Sequence, residues 1–351
     1  MSQWARRAFG ATISLAITAS LASAQQPTPP PPITVGGVVY AQYLYQLKDT
    51  ANHLNNFDVT RAYVNVIGRF SGGLGTRVTA DIYRNADNSL GYRLKYAYFG
   101  YTPLHSALTL KLGQLHTPWL DWEEALWDYR MQGQMALEGG GYLSSSDFGA
   151  GVDGAWNHDL VNVQVGVYNG ENYNKAPGDK RKDVMGRASV RALATDDASR
   201  VGGLRLTAYG QSGKPTGGGI RQRAIGMASY KSRRITLAAE YARTWDRSDA
   251  PAAPALPNAT TIKGQVLSFF TVVNIPHTKA ALIGRVDVTD PDRHIADNRQ
   301  TRFIAGASYQ LNQNLRLLAD VDNVDFESAG VIAPALAATG TQGLFQAQFT
   351  F

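Results

Sequence analysis

The side chains of this chain best suited to proton transfer are its six histidines: His53, His105, His116, His158, His277 and His294. Hydrolytic chemistry would need one of these rings within hydrogen-bond reach of a serine hydroxyl or a carboxylate. His105, His158 and His277 sit in short turn segments between apolar runs. His53 and His294 sit in longer connections without a clear serine partner. The chain has no cysteine, so a disulfide framework or thiolate metal site is excluded. No zinc spacing and no phosphate-cradling glycine loop is present, because the glycines fall at strand and turn positions. The expectation is a protein that is not an enzyme and uses neither metal nor cofactor.

A different set of residues is spaced for electrostatics. Arg61, Arg77, Arg93, Lys95, Lys111, Arg187, Arg191, Arg205, Arg223, Arg285, Arg302 and Arg316 each fall on the polar face of a segment whose other face is apolar. Asp81, Asp153, Glu240, Asp287, Asp320 and Asp322 share that polar face. If the apolar faces meet lipid, these charges must point the other way. An arginine facing lipid at mid-bilayer would cost about 2–4 kcal/mol. Charges lining a narrow aqueous lumen order water and sort solutes by charge. The predicted chemistry is therefore screening, with a modest preference for anions.

The elements that must position these charges are strands. From Thr34 onward, segments of about ten residues alternate apolar with polar or small residues, which is the period of a transmembrane β-strand. Sixteen are predicted, over 34–47, 56–70, 74–85, 91–102, 107–116, 147–157, 160–169, 184–193, 202–211, 220–231, 234–246, 262–273, 278–288, 300–310, 313–325 and 342–351. Val161, Val163, Val165 and Val167 alternate with Asn162, Gln164, Gly166 and Tyr168. Near the end Phe345, Ala347, Phe349 and Phe351 oppose Gln346, Gln348 and Thr350. Every second connection is short, as at Ser71–Gly73, Asn157–Asp159 and Leu311–Asn314, and the connections between are longer. Lipid offers the backbone no hydrogen bonds, so the strands must close on themselves. The fold expected is all-β: a 16-stranded antiparallel transmembrane β-barrel with short periplasmic turns and long outer loops. A soluble β-sandwich or propeller would not sort its connections in this way, and no blade-length repeat is present.

The first 24 residues lie outside that pattern. Arg6 and Arg7, an apolar run over Phe9–Leu21 and Ala22-Ser23-Ala24 make a secretory signal peptide cleaved near Ala24. The apolar run is too short for the ~20 residues of a spanning helix. Residues 25–33 form a proline-rich periplasmic lead-in, and 34–351 the barrel. Removing the two leader arginines takes the formal charge from +6 to +4. A basic balance can signal nucleic acid, but a leader and the lack of a basic helix argue against it.

The longest connection, 117–146, holds Trp119, Asp121, Trp122, Glu123, Glu124, Trp127 and Asp128, and 120–135 is its most helix-prone part. Tryptophans favour burial, so this third loop is predicted to fold into the barrel and constrict it, setting an acidic loop against a basic wall. Tyr63, Tyr83, Tyr101, Tyr168 and Tyr209 are candidates for a lumenal stacking track. That track would suit a substrate-specific channel for sugars or aromatic solutes.

Four stretches carry a family resemblance. Leu110-Lys-Leu-Gly-Gln-Leu-His-Thr-Pro118 resembles the Gly-Gln…Pro motif of phosphate-selective porins O and P and the broader general-porin superfamily, where it launches a constriction loop. Val165-Gly-Val-Tyr-Asn-Gly170, Gly284-Arg-Val-Asp-Val-Thr-Asp-Pro-Asp292 and the terminal Phe351 are similar to further family features. The resemblance implies a homotrimer in outer-membrane lipid and passive diffusion of small hydrophilic solutes. It also implies that Phe351 is an assembly signal read by the barrel-assembly machinery. The phosphate-selective members' lysine cluster is reduced here to Lys95 and Lys111, and the third loop is acidic. Generic anion-preferring diffusion is therefore expected rather than phosphate selectivity.

Overall fold

In a computed structural model, residues 32–48, 53–176, 178–249, 260–327 and 340–351 are described. The predicted signal peptide (1–24) and the lead-in up to residue 31 lie outside the described residues.

Sixteen strands form one closed antiparallel barrel in which each pairs with its sequence neighbour and the last returns to the first. They are β1 (Ile33–Gln46), β2 (Asn55–Arg69), β3 (Leu74–Arg84), β4 (Leu90–Tyr101), β5 (Leu108–His116), β6 (Ser146–Trp156), β7 (Val161–Tyr168) and β8 (Asp183–Leu193). The second half comprises β9 (Gly203–Gly213), β10 (Gly219–Lys231), β11 (Ile235–Ser248), β12 (Ile262–Asn274), β13 (Ala280–Asp290), β14 (Gln300–Gln310), β15 (Leu315–Phe326) and β16 (Gly340–Thr350). Alternation places Leu110, Leu112, Val165, Val167, Leu206, Phe269, Phe303 and Phe345 on the outside, all exposed. So much apolar surface in a continuous band is a lipid-facing girdle. Tyr101 belongs to this outer face, not to the lumen: it pairs with Leu74 and Leu110, both exposed.

The short connections turn through left-handed backbone. His105, Asn157, His158, Asp159 and His277 all have positive φ, between 49° and 62°. Among side-chain-bearing residues, Asn, Asp and His are the ones enriched in that region. Three of the six histidines are thus turn residues.

Closure depends on glycine. The Gly37 N–H donates to the Phe351 carbonyl at 2.9 Å, and the Phe351 N–H returns the bond to Gly37 at 3.1 Å. The Phe351 ring lies over Gly37 where a Cβ would stand. A Gly37→Val variant would press a side chain against both that ring and the Tyr63 carbonyl. Overpacking of this kind costs about 1–3 kcal/mol, so the variant should unfold at lower temperature in a heat-modifiability gel. An unchanged midpoint would show that the seam tolerates the added bulk.

Candidate functional site

The interior is built around the long connection between β5 and β6. Its neck is closed by the Thr117 N–H donating to the Ser145 carbonyl at 3.2 Å and by the Thr117 hydroxyl bonding the Ser144 carbonyl. Beyond the neck, helix α1 (Leu120–Leu126) buries Leu120, Trp122, Glu123 and Leu126. A second short helix, α2 (Ala136–Gly139), follows. Trp119, Trp122 and Trp127 are fully buried. The Trp119 ring lies 5.8 Å from Tyr209 on β9, and Trp127 meets Phe270 on β12 edge-on at 5.5 Å. The loop therefore folds inward and crosses the lumen.

The wall beneath it has a character that strand parity alone does not suggest. Ile225, Ala242, Val266, Phe270, Ile283 and Ile304 point inward from β10 to β14 and are buried. They form one apolar cluster with the loop tryptophans. On β12, apolar residues occupy both faces, with Val266 and Phe270 inside and Leu267 and Phe269 outside. That local loss of alternation is the sequence signal for where the loop docks. On β6 and β7, Gly149 and Gly166 leave room for the Tyr168 ring, whose hydroxyl donates to the His116 carbonyl at 3.2 Å.

The helix-prone stretch 120–135 is helical only to Leu126. Along the loop, several carbonyls bond to the wall instead of to a neighbouring turn. Arg316 donates to the Asp128 carbonyl (2.9 Å), Gln346 to Met131 (2.7 Å) and Arg285 to Gln134 (3.0 Å). Lys231, Arg187 and Arg223 hold the carbonyls of Ala125 (2.8 Å), Pro118 (3.0 Å) and Tyr142 (3.1 Å). Charge-assisted bonds from the barrel outcompete the i→i−4 ladder because they are stronger.

This rearranges the expected roles of the basic residues. Arg187, Arg205, Arg223 and Arg285 are at most 5% exposed; they lie beneath the loop rather than open to the lumen. Arg187 and Arg205 also flank the Trp122 ring, at 4.0 and 5.4 Å. Arg191 bonds the His158 carbonyl at the short-turn end (2.7 Å), and Lys111 pairs with Asp153. Arg77 donates to His116 Nε2 at 3.0 Å and stacks over Tyr96. Arg61, Arg93 and Arg302, each half-buried, remain to line the open cavity, about 370 Å³, between β14–β16, β1–β4 and the loop, and Lys95, itself buried, lies in its wall. The structure adds Tyr40, Arg130, Glu138 and Tyr173 to it. A register shift in β4 brings both Lys95 and Tyr96 inward, the former to the cavity and the latter to stack on His116 at 3.8 Å.

The loop acids do not present one acidic face to the pore. Asp121 pairs with Arg200 at 2.9 Å and lies 3.8 Å from His116. Burial alone would raise its carboxyl, but His116 and then Arg200 outweigh it and hold it below the ordinary carboxylate range. Glu124 bonds Arg130 at 2.7 Å, Glu138 pairs with the same guanidinium, and Asp128 lies 3.5 Å from Arg316. Glu123 is fully buried and faces Glu240, to which the Trp119 indole N–H also donates at 3.2 Å. Burial and then the Glu240 charge push the Glu123 carboxyl well above its ordinary value. Two buried carboxyls facing each other favour one proton between them over two charges, and Arg285 and Asp287 complete their surroundings.

Comparison with known proteins follows this geometry. The sequence model of the Gram-negative porin family matches residues 11–329. The chain belongs to that family. Its fold is shared with OmpF of Salmonella typhi, solved in complex with daunomycin, at a TM-score of 0.68, 14% identity, and coverage of 91% of this chain and 97% of that one. An anion-selective porin from Comamonas acidovorans superposes with a TM-score of 0.63 at 15% identity, over 91% and 99% of the two chains. The trimer form of OmpT of Vibrio cholerae gives 0.60 at 12% identity, over 91% and 99%. No curated protein matches the chain significantly in sequence. The general-porin part of the resemblance is the part these matches carry. This porin is an outer-membrane protein and a passive diffusion channel.

Two predictions follow from the way this porin holds its loop. Arg285→Met strands the buried Asp287, its partner at 2.7 Å, and leaves the Gln134 carbonyl without its donor. Breaking a buried pair costs about 3–5 kcal/mol, so urea unfolding should shift accordingly; a loss under 1 kcal/mol would mean that the pair is effectively solvated. The second concerns pH. The Glu123 carboxyl is raised in the folded state, so its contribution is complete below the unfolded value of 4.5 and declines as pH rises above it. Wild-type melting temperature should fall from pH 4.5 upward, followed by near-ultraviolet dichroism of the buried tryptophans. Glu123→Gln should flatten that slope, and identical slopes would exclude the shared proton.

Proposed function

We propose that this porin is a trimeric, non-enzymatic channel for small hydrophilic solutes with a modest preference for anions. The observation that carries the preference is the charge of the open cavity. Five cations (Arg61, Arg93, Lys95, Arg130 and Arg302) and three carboxylates (Asp81, Glu138 and Asp322) line it, a difference of +2. In a narrow lumen with low-dielectric walls such an excess concentrates anions.

The excess lies on β4, where Arg93 and Lys95 make no ion pair among the described residues, whereas Asp287 on β13 and Asp322 on β15 pair with Arg285 and Arg302. The acids of the loop are already paired as well. The anion-selective porin from Comamonas acidovorans shares the fold and is consistent with this reading.

No catalytic role is assigned to the histidines. His294 bonds Asp292 at 2.9 Å, but the same carboxylate accepts the His294 backbone N–H at 3.2 Å, which makes the contact a turn cap. The chain is secreted through cleavage near Ala24, assembles with Phe351 as its insertion signal and sits as a homotrimer in outer-membrane lipid. The trimer form of the Vibrio cholerae OmpT supports the assembly by analogy of fold.

Reversal potential across a planar bilayer under a KCl gradient tests the reading. Stepwise openings in threes and a potential favouring chloride are expected. Arg93→Gln with Lys95→Met should move that potential toward zero. A cation-favouring potential in the wild type would overturn the anion preference, and a folded protein without conductance would overturn the channel.

A further inference from the structure

We propose that Lys95, Arg93 and Tyr173 form a binding subsite in the constriction for a small planar carboxylate with an aromatic body. The inference rests on the reading of the cavity as the solute path and goes beyond it in naming a resting place and a solute class. Two cations there make no direct ion pair among the described residues. Lys95 is 1% exposed, and its ammonium donates to the Ser145 hydroxyl. Arg93 donates to the Tyr173 hydroxyl at 2.9 Å, while its Nε is buried with no hydrogen-bonding partner among the described residues. The other cavity cations are answered: Arg61 by Asp81, Arg130 by Glu124 and Glu138, and Arg302 by Asp322.

The two unanswered charges converge on one ring. The Tyr173 centroid is 4.2 Å from the Lys95 ammonium and 4.7 Å from the Arg93 guanidinium carbon. Tyr83 lies against the same guanidinium at 5.4 Å. Two like charges brought together with low exposure repel each other, and a single anion between them relieves both. A guanidinium and an ammonium held beside one ring suit the two oxygens of a carboxylate. Asp81 and Glu138 line the same cavity and would oppose a dianionic phosphate about twice as strongly as a monoanion. The tyrosine rings supply flat apolar surface for an aromatic body. The cavity of about 370 Å³ is large enough to hold it.

Arg93 and Lys95 face inward by strand alternation, and the β4 register shift adds Tyr96 beside them, where it packs against Arg77 on the neighbouring strand.

The test uses the full-length porin in planar bilayers, with sodium benzoate added to a KCl solution and acetate and phosphate as comparators. Benzoate should reduce the chloride current at a half-blocking concentration about tenfold below that of either comparator. Lys95→Met should raise that concentration about tenfold, and Lys95→Arg should restore it. Calorimetric titration of benzoate into the detergent-solubilised protein reads the same site without current, so a channel that fails to conduct leaves the subsite testable. Heat-modifiable gel mobility checks that the variants are folded. Block by phosphate at equal concentration overturns the solute class. Unchanged block and unchanged heat in Lys95→Met overturn the site. A cation-favouring reversal potential with benzoate binding intact would remove the anion preference alone.

Discussion

The architecture of the interior depends on one constraint: the carbonyls of a long loop have been taken out of water and must find donors. A loop crossing a lumen cannot use a sheet ladder, and its own helix can satisfy only part of it. Wall cations do the rest. Lys231, Arg187, Arg223, Arg285 and Arg316 reach loop carbonyls from β8, β10, β13 and β15. Arginine suits this task because its fork can bond a carbonyl and a carboxylate together. Arg285 does so with Gln134 and Asp287.

That arrangement divides the barrel. One side is filled by the loop and behaves as the core of a soluble protein, with tryptophans packed on Phe270, Val266 and Ile225. The other side keeps an open cavity lined by charge. A positive residue therefore has two possible fates. Under the loop it is structural, as with Arg205, which bonds backbone carbonyls of Gly202 and Asp159 and flanks Trp122. Away from the packed half it lines the cavity, as with Arg61 and Arg93.

The loop also brings charges of its own into the cavity. Arg130 stands between Glu124 and Glu138, so the loop side of the constriction is a paired network rather than a bare acidic strip. Glu123, fully buried, faces Glu240 inside the packed half, where its protonation bears on docking rather than on passing ions. The unpaired remainder, from which the proposed anion preference would arise, comes from β4 and lies against Tyr173 of the next long loop.

Much of this was legible in the residues. A period of two and a regular sorting of short from long connections are local properties of a chain that must pair its backbone in lipid. They were enough to predict sixteen strands, the closing alternation at Phe345–Phe351 and the loop at 117–146. The tryptophans, which demand burial, sufficed to place that loop inside. What parity could not decide was which inward cation is covered and which is open, because that depends on contacts such as Gln346 with Met131, far apart in the chain. Nor could it anticipate the register shift beside Lys95, since one extra residue in β4 changes which side chains face inward. Alternation is written residue by residue, whereas ion pairing across a lumen is a matter of distance, and only the folded barrel sets distances.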